Sequence, residues 1–124
     1  MEQKIKILIV DDDRTNVKIL LEILEFEEEY LTHWVSSGED CLDVLPEFQP
    51  DVILLDIMMP GIDGYEVCRR IRRDPDYADV KIIMLSGRAM QDEIKNGLAA
   101  GADQYLSKPF GMDELLQSLE TVQA

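Results

Sequence analysis

Apolar and polar positions fall along the chain in two alternating rhythms. Short runs rich in Ile, Val and Leu recur at Ile5–Val10, Leu31–Ser36, Val52–Leu55, Val80–Leu85 and Gln104–Leu106. Between them lie stretches of about ten to fourteen residues with apolar positions at helical spacing. This alternation predicts an α/β fold, with a parallel sheet carrying helices on both faces. "KILIV", "DVILLD" and "VKIIML" are continuously apolar, as central strands buried on both sides must be. "LTHWVS" mixes polar and apolar residues and is assigned to an edge. No repeat, low-complexity tract or linker interrupts the pattern, so residues 1–124 are expected to form a single domain.

The first helical stretch, about Arg14 to Phe26, carries more apolar surface than a helix lying on a sheet needs. Val17, Ile19, Leu20, Leu21, Ile23, Leu24 and Phe26 cover an arc of roughly 220°, against a usual stripe of a little over about 100°. Either the helix is deeply packed, or Val17 and Leu21 at one margin form a small apolar docking patch. "PGIDG" at Pro60–Gly64 predicts a turn, and Gly101 in "AAGAD" predicts a helix stop. Asp13 suits the start of the first helix. Asp113 is expected to cap the last one, with Leu115, Leu116 and Leu119 facing inward.

Composition narrows the possibilities. A chain of 124 residues that is 46% hydrophobic can build one packed core. Lys and Arg number 12 and Asp and Glu 26, giving a net charge of −14. Such a surface repels phosphate backbones, so no direct nucleic-acid binding by this domain is expected. It suits basic protein patches or bound cations. Cys41 and Cys68 fit no metal-ligand spacing and are expected to be buried free thiols. "MEQKIKILIV" lacks a signal-peptide cleavage pattern, and no run approaches a membrane span, so the expectation is no membrane association and a cytoplasmic location.

In an open parallel sheet, sites form where loops leave the carboxyl ends of the strands. There the chain places Asp11, Asp12 and Asp13 after the first strand and Asp56 at the end of the third. Ser86 and Gly87 follow the fourth, and Ser107, Lys108 and Pro109 the fifth. Carboxylates that converge need a counter-charge, and a divalent cation with oxygen ligands supplies one. A carboxylate beside a cation, an ammonium and a hydroxyl is suited to accept a phosphoryl group covalently.

"ILIVDDDRTN", "VILLDIMMPGIDGYEV", "IIMLSGRA" and "AGADQYLSKPF" together resemble the receiver domain of two-component response regulators, in the right order and over nearly the whole chain. The resemblance implies strand order 2-1-3-4-5. It implies that Asp56 is the phosphoacceptor and that Asp11, Asp12, Asp56 and the backbone carbonyl of Met58 hold Mg2+ or Mn2+, Asp11 mainly through water. Ser86 and Lys108 would bind the phosphoryl oxygens, and Tyr105 would be the aromatic switch. Lys108–Pro109 would be cis. The donor would be a sensor histidine kinase or histidine phosphotransfer protein, and the receiver of the signal a downstream protein or fused output domain. The chain would be a switch rather than a conventional enzyme, catalysing only its own phosphorylation and dephosphorylation. Gly87 stands where most receivers have Ala, and Met58 and Arg88 occupy positions that tune phosphoryl lifetime in the family.

A rival reading comes from another class. "DDDRT" also fits the first motif of haloacid-dehalogenase-like phosphatases, with Asp11 as nucleophile, Asp13 as general acid, and Ser86 and Lys108 as later motifs. That reading leaves Asp56 unused and lacks a convincing acidic pair after the lysine. A flavodoxin-like FMN binder fits less well still, because three carboxylates stand where the cofactor phosphate would sit. His33, the one histidine, is expected to be structural, and "RRIRR" at Arg69–Arg73 to be a solvated face.

Overall fold

The structure is a computed structural model and describes residues 4–87 and 91–124, without the side chains of residues 91 and 92. The elements are β1 (Ile5–Val10), α1 (Arg14–Glu25), β2 (Tyr30–Val35), α2 (Gly38–Phe48), β3 (Val52–Asp56) and α3 (Gly64–Arg73). A short 3-10 turn, Pro75–Tyr77, leads to β4 (Lys81–Ser86), α4 (Gln91–Ala100), β5 (Gln104–Ser107) and α5 (Met112–Gln123). The strands form one parallel sheet in the order β2-β1-β3-β4-β5, as the resemblance implied, with β2 at an edge.

Successive strand residues point to opposite faces, so each apolar strand feeds two cores. Ile7, Ile9, Val52, Leu54, Ile83 and Leu85 pack with α1 and α5. Leu8, Val10, Ile53, Leu55, Ile82 and Met84 pack with α2, α3 and α4. Full burial on both sides explains why β1, β3 and β4 lack polar alternation. β3, β4 and β5 each run one residue past the last apolar side chain, to Asp56, Ser86 and Ser107. Backbone pairing continues as Asp56↔Leu85 and Ser86↔Ser107, independently of side-chain polarity. β2 starts one residue earlier than expected, because Tyr30 is buried and pairs with Ile5.

Several local expectations change. In α1 the buried residues are Val17, Leu20 and Leu24, while Ile19 and Phe26 are exposed. Val17 is only 2% exposed, so it belongs to the core and not to a docking patch; Leu21 is half-buried beside it. Asp13 does cap α1, its carboxylate accepting from the N–H groups of Thr15 at 3.0 Å and Asn16 at 3.4 Å. That duty removes the role the phosphatase reading gave it. Asp113 is not the cap of α5. Gly111 holds that position, and Glu114 reaches back to accept from its N–H at 3.2 Å. Gly101 ends α4 at φ 112° and Gly61 turns the chain before α3 at φ 82°, conformations that suit glycine.

"RRIRR" is not uniformly solvated. Arg69 and Arg70 are exposed and pair with Glu66 one turn away. Arg72 instead crosses to the α4–β5 junction. It donates to the carbonyls of Gly101 at 2.8 Å and Val80 at 2.7 Å and to Asp103 at 2.8 Å. Cys41 and Cys68 are buried free thiols. His33 lies on β2 with its ring 5.4 Å from that of Phe48. Among the described residues, no helix is long and apolar enough to cross a membrane.

Candidate functional site

Backbone bonds between neighbouring loops set the site before any side chain acts. The Asp11 N–H donates to Val35 O at 3.2 Å, Ile57 N–H to Leu85 O at 3.2 Å, and Lys108 N–H to Ser86 O at 2.7 Å. Each bond ties the residue leaving one strand to the strand beside it. The Lys108–Pro109 peptide is cis, as expected. Gly64 opens α3 directly against the third strand's end: its N–H donates to Ile57 O at 3.0 Å. A Cβ there would lie 2.6 Å from the carbonyl oxygen of Asp56, so only glycine allows the approach.

On that frame Asp11, Asp12, Asp56 and Lys108 converge. Asp11 is fully buried. Its Oδ1 accepts from the Asp13 N–H at 2.9 Å, and its Oδ2 accepts from the Asn16 amide and from Lys108 Nζ at 3.3 Å. Lys108 Nζ also reaches Asp56 Oδ1 at 3.4 Å. Asp56 is 5% exposed. Burial and the nearby Asp11 charge push its carboxyl up to about 6, against the opposing pull of Lys108 and of the Met58 N–H. Asp12 is exposed at the rim, yet carboxylate oxygens of Asp11, Asp12 and Asp56 all lie within 4.8 Å of one another. Three carboxylates facing one ammonium leave excess negative charge. An all-oxygen donor set of this size fits a hard divalent cation such as magnesium.

Ser86 and Tyr105 lie beside this cluster on β4 and β5. Ser86 is buried and Tyr105 half-buried. Both donate to a residue that no motif singles out: Glu93 on α4, whose Oε2 accepts from Ser86 Oγ at 3.2 Å and Tyr105 OH at 3.0 Å. Burial, followed by the opposing influences of a Ser86 hydrogen bond and the Glu93 carboxylate, pushes the Tyr105 phenol up to about 12. Two more residues escaped sequence reasoning. Asn16 steadies Asp11 from the first turn of α1, a position that counting helix faces from Asp13 could have found. Trp34, on the edge strand, donates its indole N–H to the Asp11 carbonyl at 2.7 Å. Gly87 is exposed, and a Cβ there would meet nothing within 4 Å, so space does not demand glycine. Arg88 lies outside the described residues.

Comparison with known proteins places this geometry in context. The family model for the response regulator receiver domain matches residues 7–120. The response regulator MprA of Mycolicibacterium vanbaalenii is 41% identical over 118 residues, covering 95% of this chain and 50% of that protein. The chain thus spans about half the length of the MprA relatives it matches. The chemotaxis protein CheY4 of Vibrio cholerae superposes with a TM-score of 0.90 at 28% identity, covering 96% of this chain and 98% of that one. The receiver domain of a sensor histidine kinase from Pseudomonas aeruginosa superposes with a TM-score of 0.88 at 31% identity, covering 98% and 99%. That domain was solved with magnesium coordinated in its active-site cleft.

Proposed function

The chain belongs to the response regulator receiver-domain family, and from that premise we propose that residues 1–124 form one phosphorylation-dependent switch with Asp56 as phosphoacceptor. The observation that supports this most is the convergence of two buried carboxylates, Asp11 and Asp56, on one ammonium, Lys108. The phosphatase alternative is not favoured, since the family match runs through Asp56 and Asp13 is a helix cap.

Asp11, Asp12, Asp56 and the Met58 carbonyl would hold Mg2+ or Mn2+, which supplies positive charge to the oxygens of the transferring phosphoryl group. The donor is phosphohistidine on a sensor histidine kinase or a histidine phosphotransfer protein. A carboxylate oxygen of Asp56 forms a bond to phosphorus as the bond to the imidazole nitrogen breaks, and the electron pair stays on that nitrogen. Lys108 already touches Asp56 and neutralises part of the developing charge. The Ser86 hydroxyl binds a phosphoryl oxygen, Tyr105 follows it inward, and α4 and β5 shift to present a changed face to a downstream protein or a fused output domain. The chain acts on itself alone and is a switch rather than an enzyme with a separate substrate.

Incubation with acetyl phosphate and magnesium, followed by intact-mass measurement, tests the assignment. Wild type should gain one acid-stable, base-labile phosphoryl group, and Asp56→Asn should gain none. Undiminished labelling of the variant at another residue would sink the reading.

A further inference from the structure

We propose that Glu93 is a positioning residue that holds the switch in its unphosphorylated arrangement; this rests on the reading of Asp56 as phosphoacceptor. The Ser86 and Tyr105 hydroxyls both donate to Glu93 Oε2, at 3.2 and 3.0 Å. Both hydroxyls thus share one carboxylate oxygen. The backbone carbonyl of Glu93 accepts from Tyr65 OH at 3.3 Å. One residue of α4 is therefore tied to α3, β4 and β5 at once.

Little else anchors that helix. Its buried positions among those described are Gly97 and Ala100, both without a large side chain, and Leu98 is 48% exposed. Gly97 lets the helix lie close to the sheet, where an added Cβ would sit 2.9 Å from Met84 Sδ and 3.6 Å from Tyr105. Glu93 thus adds polar ties to a helix whose buried apolar contacts come from small residues.

The chemistry gives the cluster a direction. Ser86 has one hydroxyl proton, and in this arrangement it is committed to the cluster around Glu93. A phosphoryl group on Asp56 brings anionic oxygens that need donors, and Ser86 can serve them only by leaving Glu93. The bond to Glu93 is itself charge-assisted, so breaking it offsets much of what Ser86 gains on the phosphoryl oxygens. Glu93 also adds negative charge beside a site receiving an anion. Both effects raise the threshold for phosphorylation, and both couple capture of Ser86 to the release of Tyr105 and α4.

Titration of the full chain with beryllofluoride and magnesium tests this, read by fluorine NMR of the bound fluoride and by the fluorescence of Trp34, the one tryptophan, which bonds the Asp11 backbone. Glu93→Ala should bind beryllofluoride ~10-fold more tightly than wild type, with Glu93→Gln between them, because an amide keeps an acceptor but loses the charge. Affinity for magnesium alone should fall by no more than ~2-fold, the loss expected on removing one charge that does not ligate the ion, whereas a general loosening of the fold would lower it further. If Glu93→Ala does not fold, the tighter binding expected of Glu93→Gln carries the test. Equal or weaker beryllofluoride binding in the folded variants overturns the proposal, as does a loss of magnesium affinity larger than ~2-fold. Wild type failing to bind beryllofluoride would overturn the Asp56 reading itself, and this inference with it.

Discussion

Replacing Asp56 with Asn is expected to stabilise the metal-free protein, by an amount that depends on pH in a defined direction. The native site holds the Asp56 carboxyl at about 6 against an ordinary value of 3.8. A carboxyl whose folded pKa lies above its unfolded one favours folding in its protonated form. That contribution is complete below about 3.8 and is lost as pH rises through about 6. Above both values the folded state carries the whole penalty, about 3 kcal/mol at about 1.36 kcal/mol per pKa unit. The attraction of Lys108 is already contained in that figure, since it is one of the influences that set the shift. Asn fills the same volume and cannot ionise. Urea unfolding followed by far-ultraviolet circular dichroism, with chelator present, should show the variant about 3 kcal/mol more stable at pH 7.5 and roughly half that at pH 5. Added magnesium should stabilise wild type more than Asp56→Asn and so narrow the gap. A variant no more stable than wild type at pH 7.5, or a gain independent of pH, would refute the account of the site as strained by its own charge.

Other consequences arise from particular contacts. Arg72→Ala should destabilise the protein by about 2–3 kcal/mol in the same assay, since it strips donors from the Val80 and Gly101 carbonyls. Arg69→Ala, at an exposed pair, should stay within about 0.5 kcal/mol. Equal effects at the two positions would contradict the distinction between them. Gly64→Ala should cost about 1–3 kcal/mol and slow labelling from acetyl phosphate, because its Cβ would press on the Asp56 backbone. Burial raises the Cys41 thiol to about 12 and the Cys68 thiol to about 11. Neither should react with a disulfide reagent at pH 8 until denaturant is added, and a fast native reaction would show that one of them opens to solvent.

Much of this molecule was legible in the chain, for a physical reason that differs from feature to feature. A strand covered on both faces must be apolar at every position, so β1, β3 and β4 announced themselves, and the mixed β2 fell at the edge. Polar residues placed just after such strands can only stand at the sheet's carboxyl edge, which put Asp11, Asp56, Ser86 and Lys108 on one rim. Strand order was legible only through family resemblance, because periodicity does not say which strands are neighbours. The apolar excess of α1 left two readings open, since an arc drawn from residue types cannot tell which margin the sheet covers. Val17 went inside while Ile19 and Phe26 stayed in water.

Asp113 was misassigned as a cap because α5 starts earlier, at Met112 after Gly111. The uniform charge of "RRIRR" likewise hid the division between Arg72 and its neighbours. A guanidinium is soluble anywhere on a surface, and only the turn of α3 toward the α4–β5 junction gives Arg72 two carbonyls to bind.

The sequence alone determined which residue types stand at the strand ends, because burial dictates strand composition and chain order dictates the residues next after each strand. Only the tertiary structure decided that Glu93 holds Ser86 and Tyr105, that Trp34 and Asn16 support Asp11, and that Asp56 is crowded enough to resist ionisation. Each of these joins residues from different elements. Distances across such gaps depend on how helices settle on the sheet, which no local pattern encodes.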